Sequence, residues 1–304
     1  MGQKIYWFVR LFALCAAWFA GPVGAGELKV ASLHPLITDL AEQVGGDRVT
    51  VEGVLSVTDD PHSFTPTASD LKRIRSARLV LVSGKGMESY LPELRDNLSP
   101  GQEIIEVGRK VPSVKVTEGD LFVCCPTHSH GSIDPHWWHS PSNMKRATRV
   151  LEDAFSAVDP AGETTYKSNA VAAGKRLDAL KSWAKKKLSV IPRGRRKLVT
   201  AHAAFGYFCK EFGFKAIPVQ GLTREREASA KYLSQTIKIM KKEKVKAVFP
   251  EASANPKVLN EMVRATGAKL GGQLVADGSG NPSITTYDAM VRHNVSEIAK
   301  ALRP

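Results

Sequence analysis

The chemistry in this sequence is concentrated in histidine. There are eight: His34, His62, His128, His130, His136, His139, His202 and His293. His62 stands in Asp59-Asp60-Pro61-His62-Ser63-Phe64, just past an apolar run that ends at Val57. His136 stands in Asp134-Pro135-His136-Trp137-Trp138, where a helix-like segment opens. His202 follows the strand-like Lys197–Thr200 and precedes Phe205-Gly206-Tyr207. Two carboxylates occupy matching places: Glu251 after Ala247-Val248-Phe249-Pro250, and Asp277 after Leu274-Val275-Ala276 and before Gly278. Imidazole nitrogens and carboxylate oxygens are standard zinc donors, and four of them make a tetrahedral site. The spacing is none of the short local zinc signatures, H-E-x-x-H is absent, and either acid alone reads as a solvated turn cap. The five residues come from both halves of the chain, so an ion shared among them would sit between two lobes, as in a protein that closes over its ligand.

Those positions demand elements that end where the candidates begin. Leu28–Ser32 opens as a strand, and a helix from Ile37 to Val44 follows and stops at Gly45-Gly46. Val49–Val57, Arg78–Ser83 and Ile104–Val107 are further strand candidates. The second half repeats the pattern with Lys197–Thr200, Lys215–Val219, Ala247–Phe249 and Gln273–Val275, and with helical stretches such as Ala228–Lys242 and Pro256–Thr266. Alternating strands and helices imply α/β architecture, a parallel sheet in each half covered by helices. The C-terminal ends of such strands are where ligands bind. Between the halves, Ala161 to Val190 holds no proline, and its apolar positions Leu177, Leu180, Trp183, Ala184 and Leu188 recur at helical spacing. This predicts one long helix joining two lobes; two shorter helices broken at Gly174 are the alternative. The expected division is a leader over 1–25, an N-terminal lobe over 26–160, the linking helix over 161–191 and a C-terminal lobe over 192–304.

A length of 304 residues suggests two domains, and 43% hydrophobic with 24% charged residues excludes a disordered or collagen-like chain. The only apolar run that raises the membrane question is Leu11–Ala20, too short for a span of ~20 residues. With Lys4 and Arg10 before it and Val23-Gly24-Ala25 after it, it reads as a secretory signal peptide cleaved after Ala25, with an uncleaved anchor as the alternative. Cys15 follows Leu14 in the middle of that run, which argues against lipid attachment there. The net charge is +13, and residues 1–25 carry two of those cations and no acid, leaving +11. Such a charge could dock on anionic surfaces. Lys185-Lys186-Lys187 and Lys241-Lys242-Glu243-Lys244 lack the interleaved aromatics of a nucleic-acid binder, so they read as solvated helix faces. Cys124, Cys125 and Cys209 are an odd number for an oxidising compartment, and their pairing is not legible.

Several longer motifs occur together and in order: Asp60-Pro61-His62 with Thr65-Pro66-Thr67, Asp134-Pro135-His136-Trp137 with Ser140-Pro141, His202-Ala203-Ala204-Phe205-Gly206-Tyr207-Phe208, Glu251-Ala252-Ser253-Ala254-Asn255-Pro256, and Tyr287 with Met290-Val291-Arg292-His293-Asn294. In these the chain resembles the extracytoplasmic solute-binding proteins of bacterial zinc/manganese ABC importers, over essentially all of 27–304. The resemblance implies two α/β lobes joined by one rigid helix, with the metal in the cleft. It implies a periplasmic carrier without catalysis, which hands its ion to a membrane permease; a monomer is expected. Carried over residue by residue, it implies His62, His136, His202 and Asp277 as ligands, with Glu251 behind one of them or as an alternate ligand. His139 falls outside that set, and His34 and His293 are expected to serve structure. Manganese-favouring members often carry a carboxylate where this chain has His202, and three nitrogens with one carboxylate suit Zn2+ better than Mn2+. Mn2+ is the alternative cargo. The His- and acid-rich loop of many zinc members is reduced here to His128-Ser129-His130 beside Cys124-Cys125. Weak zinc collection and a plain polar loop are both open for it. Two rivals stand beside the carrier: a secreted zinc hydrolase with three ligands, a water and Glu251 as general base, and a metal-binding adhesin.

Overall fold

The computed structural model describes residues 27–115, 133–220, 222, 229–252, 256–278 and 280–304. The leader with Cys15, the loop 117–132 with Cys124, Cys125, His128 and His130, and residues 253–255 of the Glu251 motif lie outside the described residues.

The first half is β1 (Leu28–Ser32), α1 (Pro35–Gly45), β2 (Val49–Gly53), α2 (Ala68–Arg75), β3 (Leu79–Val82), α3 (Leu91–Asp96), β4 (Glu103–Glu106) and α4 (Pro141–Val158). Its strands form a four-stranded parallel sheet in the order β2-β1-β3-β4, with Val30 opposite Val51 on one side and Leu79 on the other. The second half follows α5 (Glu163–Leu188) with β5 (Lys197–Thr200), α6 (Gly206–Phe212), β6 (Lys215–Pro218), α7 (Ala230–Lys242), β7 (Ala247–Phe249), α8 (Pro256–Thr266), β8 (Lys269–Leu270) and α9 (Tyr287–Leu302). Its sheet is also parallel and four-stranded, in the order β6-β5-β7-β8.

The period-two geometry of a strand lets each sheet serve two cores. In β3, Leu79 and Leu81 face a central apolar cluster, while Val80 and Val82 face an outer one with Ile74 and Leu94. In the second sheet, Leu198 joins the central cluster and Val199 an outer one with Met240 and Met262. The central cluster is continuous through both halves and includes Leu177 and Leu180 of α5 and Met290 and Val295 of α9.

The long helix is unbroken. α5 runs 26 residues, ~39 Å at 1.5 Å per residue, and passes straight through Gly174. There α4 comes close: a side chain at Gly174 would meet the Lys145 stem at 3.5 Å. Tyr166, Ala170, Ala173, Leu177, Leu180, Ala184 and Leu188 are buried at helical spacing, against α1 and α4 of the first half and α9 of the second. Arg48 grips Asp159 near the helix start with two nitrogens at 2.8–3.0 Å, and Tyr166 donates to the same carboxylate at 2.6 Å.

Helix starts explain several motif residues. Thr67 closes Thr65-Pro66-Thr67 as the N-cap of α2, in a reciprocal capping box with Asp70. Ser140-Pro141 is the N-cap and first residue of α4.

Two strand expectations need correction. Val49–Val57 pairs only as far as Gly53, because Ser56 donates its N–H to Asp59 Oδ2 at 2.8 Å and turns the chain. Gln273–Val275 is not a ladder strand. The fourth strand is Lys269–Leu270, and the later segment makes a single parallel bridge, Leu274 with Glu251. A side chain takes the place of the missing neighbour: Asn294 Oδ1 accepts the Val275 N–H at 2.9 Å, and its Nδ2 donates to the Val275 carbonyl at 2.7 Å. Among the described residues no helix is long and apolar enough to cross a membrane.

Candidate metal centre

The two parallel sheets deliver loops from the C-terminal ends of their strands to one place. His62 lies on the loop after β2, His202 leaves β5, and Glu251 leaves β7. His136 precedes a short 3-10 turn, Trp137–His139, that runs into α4. Asp277 follows the bridged segment beside Glu251.

Each loop is braced by its own side chains. Asp60 Oδ1 accepts the His62 N–H at 3.0 Å, and Asp134 Oδ1 accepts the His136 N–H at 2.9 Å. The two Asp-Pro-His motifs therefore make the same local turn, in which the acid two residues back satisfies the histidine backbone. Thr200 donates its hydroxyl to the His202 carbonyl at 2.8 Å. Trp138 Nε1 donates to the Ala276 carbonyl at 2.8 Å, next to Asp277, and the Tyr287 hydroxyl donates to the Trp138 carbonyl at 2.8 Å.

The result is a tight cluster. One ligating atom from each of His62, His136, His202 and Asp277 lies within 4.8 Å of all the others. His62 Nε2 and His136 Nε2 are 3.1 Å apart, and Asp277 oxygens stand 3.7, 3.6 and 3.8 Å from the Nε2 atoms of His62, His136 and His202. A tetrahedron with metal–ligand bonds of ~2.0 Å has edges of ~3.3 Å, and the His62–His136 edge and the three Asp277 edges lie within about half an ångström of that size. All four side chains are buried.

Protons are steered by carboxylates behind the rings. Asp134 Oδ1 is 2.8 Å from His136 Nδ1, and Glu251 Oε2 pairs with His202 Nδ1 while its Oε1 accepts the His202 N–H at 3.2 Å. A carboxylate at Nδ1 holds that nitrogen as N–H and turns the Nε2 lone pair toward the centre. Burial lowers the pKa of His136 below the usual imidazole value, against Asp134, which raises it. Asp134, Glu251 and Asp277 are all buried here, and no lysine or arginine is buried among the described residues. A cation is the natural counter-charge for such a centre.

The other candidates fall away from the cluster. Glu251 stands behind His202 rather than among the four. His139 is buried with its ring 4.2 Å from that of Phe205, and burial brings its pKa down to about 3. His34 caps α1 by accepting the Leu36 N–H at Nδ1 and packs 4.4 Å from the Trp138 ring; burial brings it also to about 3. His293 Nε2 is 2.7 Å from the Gln273 carbonyl. What residue-by-residue reading missed is the second duty of Asp134, and the repeated Asp-Pro-His was the available signal. Gly206 in the His202 motif is explained by the same acid: a Cβ there would run into Asp134 Oδ2.

With this geometry in hand, the chain is similar to metal-binding proteins throughout its described length. A family model described as the periplasmic component A of the zinc-uptake complex, ZnuA, matches residues 30–301. The manganese-binding lipoprotein MntA of Bacillus subtilis (strain 168) is 31% identical over 301 residues, 96% of each chain. The iron-binding protein YfeA of Yersinia pestis is 30% identical over 280 residues, covering 91% of this chain and 86% of its own. The structure of the periplasmic zinc-binding protein TroA from Treponema pallidum matches with a TM-score of 0.80 at 27% identity, over 92% of this chain and 100% of that one.

Proposed function

From the premise that this chain belongs to the ZnuA family of periplasmic metal-uptake components, we propose that it captures Zn2+ between His62, His136, His202 and Asp277 and delivers it to an ABC importer permease. The observation that carries the reading is the buried cluster itself, three imidazole nitrogens and one carboxylate whose ligating atoms all lie within 4.8 Å of one another. Zn2+ is favoured over Mn2+ because three nitrogens and one carboxylate form a borderline-soft, low-coordination set, whereas Mn2+ prefers more oxygen.

The ion is cargo. Neutral imidazoles and an ionised Asp277 bind it, and Asp134 and Glu251 keep two of the rings in the binding tautomer. Bonds between the halves support small loop shifts rather than wide opening as the means of release. Trp138 holds the Asp277 loop, Tyr207 accepts the Val114 N–H at 3.0 Å, and Ser142 donates to Glu211 at 3.1 Å. The permease would then act on the loop that bears Asp277. The reading includes cleavage of residues 1–25 on export and a monomeric carrier.

The test is metal analysis of protein purified without added metal, followed by competition titration of Zn2+ against Mn2+. Stoichiometric zinc that excess manganese does not displace is the expected result. Tighter binding of manganese would move the chain to the alternative cargo, and failure to bind either ion would remove the carrier role.

A further inference from the structure

The far end of the second half carries a feature that the metal centre does not use. A groove of about 670 Å³ lies between the last turns of α5 and α9. Trp183 and Val190 contribute apolar surface, with Val190 54% exposed, and Lys186, Lys187, Lys300 and Arg303 surround it, all four exposed. Glu297 is the acid of the lining, and it is turned in against Gly272, where no Cβ could stand. Arg292 lies over the Trp183 ring at 4.7 Å. Lysines in the last turn of α5 complement the helix dipole. That effect does not explain why two helices bring their cations together around an indole.

We propose that this groove docks the protein on an anionic phospholipid surface. The chemistry matches on both counts. Four exposed cations around the groove attract phosphate headgroups, each contributing near a charged membrane. Trp183 and the lysine stems supply the amphipathic surface that suits the boundary between headgroup and acyl chain. Position allows it too: Arg195 donates to the Arg303 carbonyl at 3.0 Å, which puts the groove beside the entry to β5, while His202 leaves the other end of that strand. Held there, the protein turns the loops that bear the cluster away from the bilayer, so this docking is a state separate from delivery to the permease.

The test is co-sedimentation of the exported protein, purified from the extracytoplasmic fraction, with vesicles of phosphatidylcholine containing about 30 mol % phosphatidylglycerol at about 50 mM salt. The wild type is expected to pellet with these vesicles and not with pure phosphatidylcholine. Lys186→Glu/Lys187→Glu/Lys300→Glu should lose about tenfold or more in apparent affinity. Lys238→Glu/Lys241→Glu/Lys242→Glu on α7 removes the same charge from exposed positions elsewhere and should stay within about twofold. Trp183 emission should shift to the blue on binding, since Trp137 and Trp138 are already buried. Equal loss in both triple variants would reduce the effect to net charge and overturn the groove. Absence of pelleting, or equal pelleting on neutral vesicles, would overturn the proposal. So would capture of soluble polyglutamate in preference to vesicles, which would make the partner an acidic polypeptide. None of these readouts depends on bound metal.

Discussion

His202 and Glu251 are joined twice: the carboxylate takes the ring at Nδ1 through one oxygen and the backbone N–H at 3.2 Å through the other. Two bonds from one rigid carboxylate fix both the position and the tautomer of the imidazole, so that Nε2 is the atom offered to the centre. The acid is as buried as the ring it serves.

Glu251→Ala should therefore weaken Zn2+ binding by about 10–100-fold, the usual effect of removing a carboxylate behind a metal-bound histidine. Glu251→Gln keeps one acceptor and should lose less. Titration calorimetry on both variants checks this. Equal affinity for wild type and Glu251→Ala would mean that His202 needs no holder.

His62→Ala and His202→Ala should each cost at least about tenfold in Zn2+ affinity while the circular dichroism spectrum stays unchanged. Because metal binds only the folded state, Zn2+ should also raise the melting temperature of the wild type, and by less in these variants. A chelator-stripped wild type that melts with the zinc-loaded protein would contradict the assignment.

Gly206→Ala tests the bracing of His136 from a distance. The new methyl would displace Asp134, whose Oδ1 is 2.8 Å from His136 Nδ1. Expected is a loss of Zn2+ affinity of about tenfold together with a destabilisation of ~1–3 kcal/mol from overpacking. Calorimetry and urea unfolding measure the two effects. A destabilised protein with full affinity would show that Asp134 does not govern the ring.

Protons and metal compete for the same Nε2 lone pairs. Affinity should be steady above about pH 7.5 and fall by about tenfold or more on going to about pH 5.5. His136, lowered by burial, resists protonation further down than an exposed histidine. A flat affinity profile over that range would argue against imidazole ligation.

Glu88 gives a pH effect on stability away from the centre. It is buried, accepts the Ser83 N–H at 2.5 Å and the Gly84 N–H at 3.0 Å, and burial pushes its pKa up to about 7. The folded state thus favours the neutral acid. Its contribution is full below the ordinary value of about 4.5 and is lost as pH rises through about 7, by up to ~3 kcal/mol. Stability of wild type relative to Glu88→Gln should fall between about pH 5 and pH 8, measured by urea unfolding. A constant difference would refute the shift.

Much of this protein was legible in the order of its residues. Alternating strand and helix patterns set two parallel α/β halves, and β1, β5, β7 and α8 lie where their apolar runs and turn residues place them. The continuous spacing of Leu177, Leu180, Ala184 and Leu188 foretold a single helix through Gly174. Local chemistry was enough for these, because burial period and turn residues are properties of short segments. The motifs also named the residues that meet at the centre.

Only tertiary structure decided which groups stand behind them. The Gln273–Val275 segment reads as a strand, yet Asn294 from a distant helix supplies the backbone partners of Val275. Glu251 became the holder of the His202 ring through a contact that depends on how whole elements pack, and Gly206 owes its lack of a side chain to Asp134 from the other half. Period and turn chemistry act over a few residues and are written in each segment. A hydrogen bond between residues far apart in sequence exists only once the fold has fixed both ends to within an ångström.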